Sequence, residues 1–74
     1  MDEKAIAIEL GLVLRAERTA LGLSQDGFAD RIEMHRAYYS AIERGEKNMT
    51  LETLLRVAKG LGIVPSILLQ SAGF

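Results

Sequence analysis

The apolar residues of this chain recur at the spacing of an α-helix, and no residue interrupts that pattern over most of its length. In the first segment, Ile6, Leu10 and Leu14 lie at intervals of four residues, which places them on one face of a helix. Alternating runs that would favour β-strands do not occur in the sequence. The only proline, Pro65, lies near the end of the chain, so almost all of the chain is free to be helical. The sequence therefore predicts an all-α protein.

Capping residues divide this pattern into five short helices. Ser24 and Thr50 are residue types that cap helix N-termini, and Gly22 and Gly45 are suited to positions just past a C-terminus. Pro65 suits the first turn of a last helix. The predicted helices cover residues 4–20, 25–32, 36–44, 51–61 and 65–70. We expect them to form one domain over residues 1–74.

The small size of the chain favours a second copy of itself as a partner. A domain of 74 residues is marginally stable when it stands alone. The sequence has no cysteine, which excludes disulfides and thiolate metal sites. No apolar run approaches the ~20 residues that span a bilayer, so a soluble cytoplasmic protein is expected. The net charge of −1 argues weakly against nucleic-acid binding, because such domains are usually basic.

The third predicted helix has an outward face that suits a flat, anionic partner. On a helical wheel, five residues fall within about 140° of one another: Arg36, Ala37, Ser40, Ala41 and Arg44. Tyr39 and Ile42 point the opposite way, towards a core. Small side chains allow close approach and arginines offer a planar fork of donors, which is the combination that reads a DNA major groove. The competing interpretation is an ordinary solvated helix face.

The neighbouring segments favour the groove-reading interpretation. A short helix, a turn at Glu33–His35 and the third helix form a helix-turn-helix arrangement over about residues 24–45. Just beyond it lies a polar loop, in which Lys47 and Asn48 are candidate phosphate contacts.

The stretch from Leu21 to Leu69 resembles the Cro/repressor (XRE-type) helix-turn-helix domains along its full length. The resemblance is carried by Leu23-Ser24-Gln25, Ile42-Glu43-Arg44-Gly45, Asn48 and Thr50-Leu51-Glu52-Thr53-Leu54. It implies a compact five-helix, lambda-repressor-like fold and a DNA-binding transcriptional regulator. The run His35–Gly45 looks closest to the controller proteins of restriction–modification systems, which are small homodimeric regulators. Phage, prophage and chromosomal Cro-like repressors share most of the motif and stay open as alternatives.

The resemblance also implies roles for individual residues. Base edges would be read by His35, Arg36, Ala37, Ser40 and Ala41. The DNA backbone would be contacted by Ser24, Gln25, Tyr38, Arg44, Lys47 and Asn48. Arg18 and Glu43 would form an internal ion pair that ties the first helix to the third.

The sequence departs from the family pattern at several positions. Gly27 stands where the second helix usually has an acidic residue. Glu33 replaces the usual turn glycine, so either Glu33 adopts a positive φ or the turn differs. His35 replaces a small capping residue, and Ser66 and Ile67 replace a commonly acidic pair.

The last segment is too apolar for a short surface helix, which predicts a dimer interface. Exposed apolar patches usually mark partner sites. We expect the helices over about residues 50–70 to pair across a two-fold axis, using Leu61, Val64, Ile67, Leu68 and Phe74. Ile67 and Leu68 would be central. Such a dimer would place two third helices about 34 Å apart, one turn of DNA, on a pseudo-palindromic operator.

Other functions fit the sequence less well. An enzyme is not expected, because no nucleophile–base pair occurs at a recognisable spacing. No cofactor, metal, small-molecule ligand or membrane partner is expected, whereas RNA polymerase is a further candidate partner. The remaining alternatives are a helical protein-interaction module, which would use the apolar C-terminal segment, and an antitoxin that also binds DNA.

Overall fold

The computed structural model describes residues 2–74 and consists of five α-helices. They are α1 (Glu3–Ala20), α2 (Gln25–Arg31), α3 (Arg36–Glu43), α4 (Leu51–Leu61) and α5 (Pro65–Ser71). No β-strand occurs within residues 2–74, and over the same range no helix combines the length and hydrophobicity needed to cross a bilayer. The all-α prediction is confirmed, and every helix begins and ends within one residue of its predicted bounds.

The predicted caps determine where the helices begin. The Ser24 hydroxyl accepts a hydrogen bond from the Gly27 N–H at 2.9 Å, and the Thr50 hydroxyl accepts one from the Thr53 N–H at 3.1 Å. Each satisfies a backbone donor that has no partner within its helix. Pro65 lies in the first turn of α5, where its missing N–H removes no helical hydrogen bond.

All five helices contribute to one hydrophobic core. Its largest fully buried side chains are Leu14, Phe28, Tyr39, Ile42, Val57 and Leu68. The rings of Phe28 and Tyr39 pack with their centroids 5.1 Å apart in a tilted arrangement, which is favourable for aromatic pairs. This contact joins α2 to the inner face of α3.

Two residues that we predicted at a dimer interface belong to this core instead. Leu61 is 6% exposed and Leu68 is 1% exposed within the single chain. The prediction was wrong for them because core and interface residues follow the same helical spacing, so spacing alone does not separate the two. Val64, Ile67 and Phe74 are exposed, and we refer to these three side chains together as the C-terminal patch.

The backbones of α1 and α3 come close together at Gly11. A β-carbon added to this residue would lie 2.8 Å from the carbonyl oxygen of Ile42 and still closer to that of Glu43. Both obstacles are backbone atoms, which move only if the helix moves. Gly11 therefore sets the distance between the two helices.

Replacing Gly11 with alanine should destabilise the protein by about 1–3 kcal/mol, the usual effect of overpacking. Helix propensity alone predicts the opposite sign, a gain of about 1 kcal/mol. Urea unfolding followed by circular dichroism measures the difference. Leu12→Ala, at an exposed neighbouring position, serves as the control and should change stability by about 0.5 kcal/mol or less. A Gly11→Ala protein more stable than the unmodified one would contradict the close approach.

Candidate nucleic-acid interface

Helices α2 and α3 form a helix-turn-helix through a turn over residues 32–35. Glu33 in this turn has a φ of 55°, a left-handed conformation that is uncommon for a residue with a side chain. Of the two alternatives for Glu33, the structure shows the positive φ. The following Met34 N–H donates to the Ala29 carbonyl at 2.9 Å. His35 then precedes α3 without making a side-chain cap.

The inner side of α3 is fixed to α1 by a buried ion pair. The Arg18 guanidinium donates to the two carboxylate oxygens of Glu43 at 2.6 and 3.0 Å. It also donates to the Leu23 carbonyl at 2.6 Å. The Arg18 and Glu43 side chains are 11% and 1% exposed. The structure therefore brings together the two residues that the resemblance implied as an ion pair.

Two further polar side chains of the helix-turn-helix face this pair. The amide nitrogen of Gln25 donates to Glu43 at 2.9 Å, so the side chain that was expected to hold a phosphate is turned inward. The resemblance implied a role for Gln25 but carried no information about its bond to Glu43. The hydroxyl of Tyr39 is buried near the pair, yet makes no hydrogen bond among the described residues. Burial raises the pKa of the Tyr39 phenol, which therefore stays neutral.

The ion pair keeps Glu43 charged in the interior. Burial by itself would raise the pKa of Glu43, but hydrogen bonds, led by those from Arg18, outweigh it and hold that pKa below its ordinary value. The hydrogen bond to Glu43 likewise raises the pKa of Arg18. Both groups are therefore ionised at neutral pH, and the ionised pair holds α3 in place.

This pair should make folding sensitive to acid. Because the pKa of Glu43 is lower in the folded protein, its contribution is complete above the ordinary value of 4.5 and is lost as the pH falls through the folded value. The unfolding temperature should therefore decrease below about pH 4.5 more steeply in the unmodified protein than in Glu43→Gln. Thermal unfolding from about pH 3 to pH 7 measures both curves. Parallel curves would contradict a depressed pKa at Glu43.

The outer face of α3 displays most of the residues predicted to read bases. His35, Arg36 and Ala37 are exposed, and Ser40 is half-buried. Ala41 is 7% exposed, so its placement on this face was wrong. The wheel put Ala41 at the edge of the face, and a methyl group at an edge is too short to emerge between its neighbours.

Arg36 is paired with an acidic residue of the preceding helix. Its Nη1 lies 2.7 Å from Oδ2 of Asp26, and both side chains remain largely exposed, at 70% and 61%. The contact links the N-terminal end of α2 to the N-terminal end of α3. Such an exposed pair contributes little to stability.

Arg44 is held by the loop that follows α3. Its Nε and Nη2 donate to the carboxylate of Glu46 at 2.9 and 3.0 Å, and its Nη1 donates to the Ser40 hydroxyl. The hydrogen bond to Glu46 raises the pKa of Arg44, and the hydrogen bond from Arg44 lowers the pKa of Glu46. The paired charges nearly cancel here.

The other residues predicted to contact the DNA backbone are accessible at the surface. Ser24, Lys47 and Asn48 are exposed, and Tyr38 is 36% exposed. Lys47 has no ion-pair partner within the described range, unlike Arg36 and Arg44. Lys47 is therefore the uncompensated positive charge of the predicted set.

Sequence reasoning missed the two carboxylates that face these arginines. Asp26 lies in the first turn of α2, where a negative charge is favourable to the helix in itself, and Glu46 lies in the polar loop after α3. Asp26 and Arg36 are ten positions apart in the sequence, a spacing that matches no short-range pairing rule. Glu46 lies beyond the helix end, where helical spacing no longer applies. For neither pair did a local sequence signal exist.

The sequence of this chain is similar to those of known helix-turn-helix proteins. The model of the family described as "Helix-turn-helix" matches residues 14–68. The control protein C.MunI from Mycoplasma sp is 47% identical over 72% of this chain and 69% of its own length.

Two solved structures extend the likeness to the whole fold. The restriction-modification controller protein C.AhdI from Aeromonas hydrophila has a TM-score of 0.86 and 38% identity, over 92% of this chain and 99% of that one. The restriction-modification controller protein C.Esp1396I, solved as a tetramer with its natural 35 base-pair operator, has a TM-score of 0.82. It is 25% identical, over 90% of this chain and 88% of that one.

Proposed function

Since this chain belongs to the helix-turn-helix family, we propose that it is a sequence-specific DNA-binding regulator of transcription that controls a restriction–modification system. The control protein C.MunI and the controller protein C.AhdI support the choice of system. The observation that carries DNA binding is the outer face of α3. There Arg36 and Ala37 are exposed on a helix whose inner face is fixed by the buried Arg18–Glu43 pair.

In the proposed complex, α3 lies in the major groove. The Ala37 methyl group lets the helix come close to the base pairs, and Arg36 donates two parallel hydrogen bonds to a guanine edge. His35 and Ser40 flank it on the same face. Because α3 is tied to α1, the approach of these side chains is set by the fold and needs no rearrangement of the backbone.

Residues around α3 hold the DNA backbone in this proposal. We expect Ser24, Tyr38, Lys47 and Asn48 to contact phosphates or groove edges, and Arg44 to join them by exchanging Glu46 for a phosphate. Gln25 is left out, because its amide nitrogen is bonded to Glu43. These contacts fix the register of the protein on DNA but do not themselves read sequence.

The net charge of −1 and the two exposed ion pairs together determine how strongly this chain should bind DNA of any sequence. Asp26 and Glu46 compensate Arg36 and Arg44 in the free protein. Non-specific binding depends on net phosphate neutralisation, so we expect it to be weak. Affinity then comes from base contacts and from the use of two subunits.

A homodimer is part of the proposal, with the C-terminal patch as its interface. Val64, Ile67 and Phe74 are 62%, 50% and 53% exposed in the single chain, which leaves apolar surface for a second copy to cover. Two-fold pairing would place two α3 helices about 34 Å apart on a pseudo-palindromic operator. The operator-bound tetramer of C.Esp1396I supports self-association on DNA.

Replacing Ile67 with aspartate should weaken this dimer by roughly 2–3 kcal/mol, or about a hundredfold, because each subunit then buries a charge in place of apolar surface. Sedimentation equilibrium at about tens of micromolar measures the change. Ser66→Asp adds the same charge at an adjacent exposed position and should leave the dimer intact. An unmodified protein that sediments as a monomer, or equal weakening by both variants, would contradict this interface.

The proposed regulator acts at its own promoter in the cytoplasm, and the position of its operator decides whether it represses or assists RNA polymerase. Titration with the DNA directly upstream of its own reading frame tests this. We expect tighter binding to that duplex than to a shuffled duplex of the same composition. Equal affinity for the two would contradict autoregulation.

A further inference from the structure

The two exposed arginines near α3 are held in different ways. Arg44 engages all three of its side-chain nitrogens, two with Glu46 and one with Ser40. Arg36 engages one nitrogen, through the single contact between Nη1 and Oδ2 of Asp26 at 2.7 Å. A guanidinium carries five N–H donors, so the contact with Asp26 leaves most of the Arg36 fork available to a ligand.

The position of Asp26 allows this single hydrogen bond to restrict the orientation of the Arg36 side chain. Asp26 lies in the first turn of α2, and α2 is packed against α3 through the buried rings of Phe28 and Tyr39. The carboxylate is therefore attached to a fixed neighbouring helix. A hydrogen bond from such an anchor limits the directions in which the long Arg36 side chain can point, although that side chain is 70% exposed.

We propose that Asp26 is a positioning residue that sets the sequence specificity of the α3 surface, an inference that rests on the proposed DNA-binding function. Asp26 acts on Arg36 in two ways. Its hydrogen bond orders the guanidinium before binding, which reduces the loss of side-chain freedom when Arg36 meets a base edge. Its negative charge repels phosphates, so Arg36 is a poor general clamp for DNA of any sequence.

The two effects change specific and non-specific binding in opposite directions. Without the charge of Asp26, the affinity for a matched operator should fall, because Arg36 is no longer ordered before binding. The affinity for random DNA should rise, because the repulsion between Asp26 and phosphates is removed. Exposed ion pairs of this kind are worth about 0.2–1 kcal/mol, or roughly a 1.4- to fivefold change each, and a dimer uses two of them. We therefore expect the ratio of specific to non-specific affinity to fall by roughly 2- to 25-fold on removal of the charge.

Asp26→Asn tests the proposal, with Asp30→Asn as the matched control. Asp30 lies in the same helix, is exposed, and has no ion-pair partner in the described part of the chain. Each variant is titrated with two duplexes, the one enriched from a random pool by the unmodified protein and a shuffled version of it. Asp26→Asn should lower the affinity ratio by the stated factor, whereas Asp30→Asn should change both affinities by a similar factor and leave the ratio near that of the unmodified protein.

An Arg36→Ala background separates positioning from a general charge effect. If Asp26 acts through Arg36, adding Asp26→Asn to Arg36→Ala should produce no further loss of the ratio. The same loss in that background, or equal ratios for Asp26→Asn and Asp30→Asn, would overturn the inference while leaving DNA binding itself intact. Failure of the unmodified protein to enrich any sequence would overturn both the inference and the proposed function.

Discussion

Arg18→Met is expected to destabilise the folded protein by about 3–5 kcal/mol, because it leaves Glu43 buried without its partner. Glu43 is buried, and the amide of Gln25, which also donates a hydrogen bond to it, carries no charge to replace that of Arg18. A domain of this size has a total stability of roughly 4–11 kcal/mol, so a large share of it would be lost. Urea unfolding at a fixed protein concentration measures the effect.

Two further variants test whether the buried charge of Glu43 causes the loss of stability. Arg36→Met also removes an ion-paired arginine, but the pair with Asp26 is exposed, so the change should be about 1 kcal/mol or less. Adding Glu43→Leu to Arg18→Met removes the unpaired charge and should recover part of the stability, as apolar replacement of buried pairs often does. If Arg18→Met and Arg36→Met destabilised the protein equally, the buried pair would not be what holds α1 to α3.

The second large effect is expected at the DNA surface. Arg36→Ala should weaken binding to the operator by about 1–3 kcal/mol per half-site, or roughly 2–6 kcal/mol for both, and should relax the preference at one or two base pairs. The exposed side chain of Arg36 contributes little to folding, so the loss should appear in binding without a matching loss of stability.

Lys47→Ala is the contrasting variant for this prediction. Lys47 is exposed and has no ion-pair partner in the part of the chain that the structure describes. Its removal should weaken binding evenly across sequences. It should also reduce the slope of the logarithm of the binding constant against the logarithm of the salt concentration by about one per half-site. Binding titrations at several salt concentrations, on operator and shuffled duplexes, distinguish the two residues. Equal losses on both duplexes for both variants would contradict the base-reading role of Arg36.

The fold was largely predictable because local signals determine where these helices begin and end. Ser24 and Thr50 cap helices as their side-chain chemistry requires, and the spacing of Leu14 and Ile42 placed both in the core, where the structure buries them. Even the unusual residue Glu33 was singled out by its departure from glycine, and its φ is positive.

The surface was less predictable, because it depends on contacts between helices. The wheel treats α3 as an isolated cylinder and therefore exposed Ala41, which the folded chain covers. It also gave no sign that Asp26 would reach Arg36. The errors at Leu61 and Leu68 have the same origin, since an apolar stripe does not reveal whether its own chain or a second copy covers it.

In the proposed complex, two copies of this chain read a two-fold symmetric DNA sequence through α3. Selection of bound DNA from a random pool, followed by sequencing, tests it most directly. We expect enrichment of an inverted repeat whose half-sites are centred about one turn of DNA, or ~34 Å, apart. We also expect Arg36→Ala to lose the preference at one or two base pairs in each half-site. Enrichment of an asymmetric site, or of no sequence at all, would contradict it.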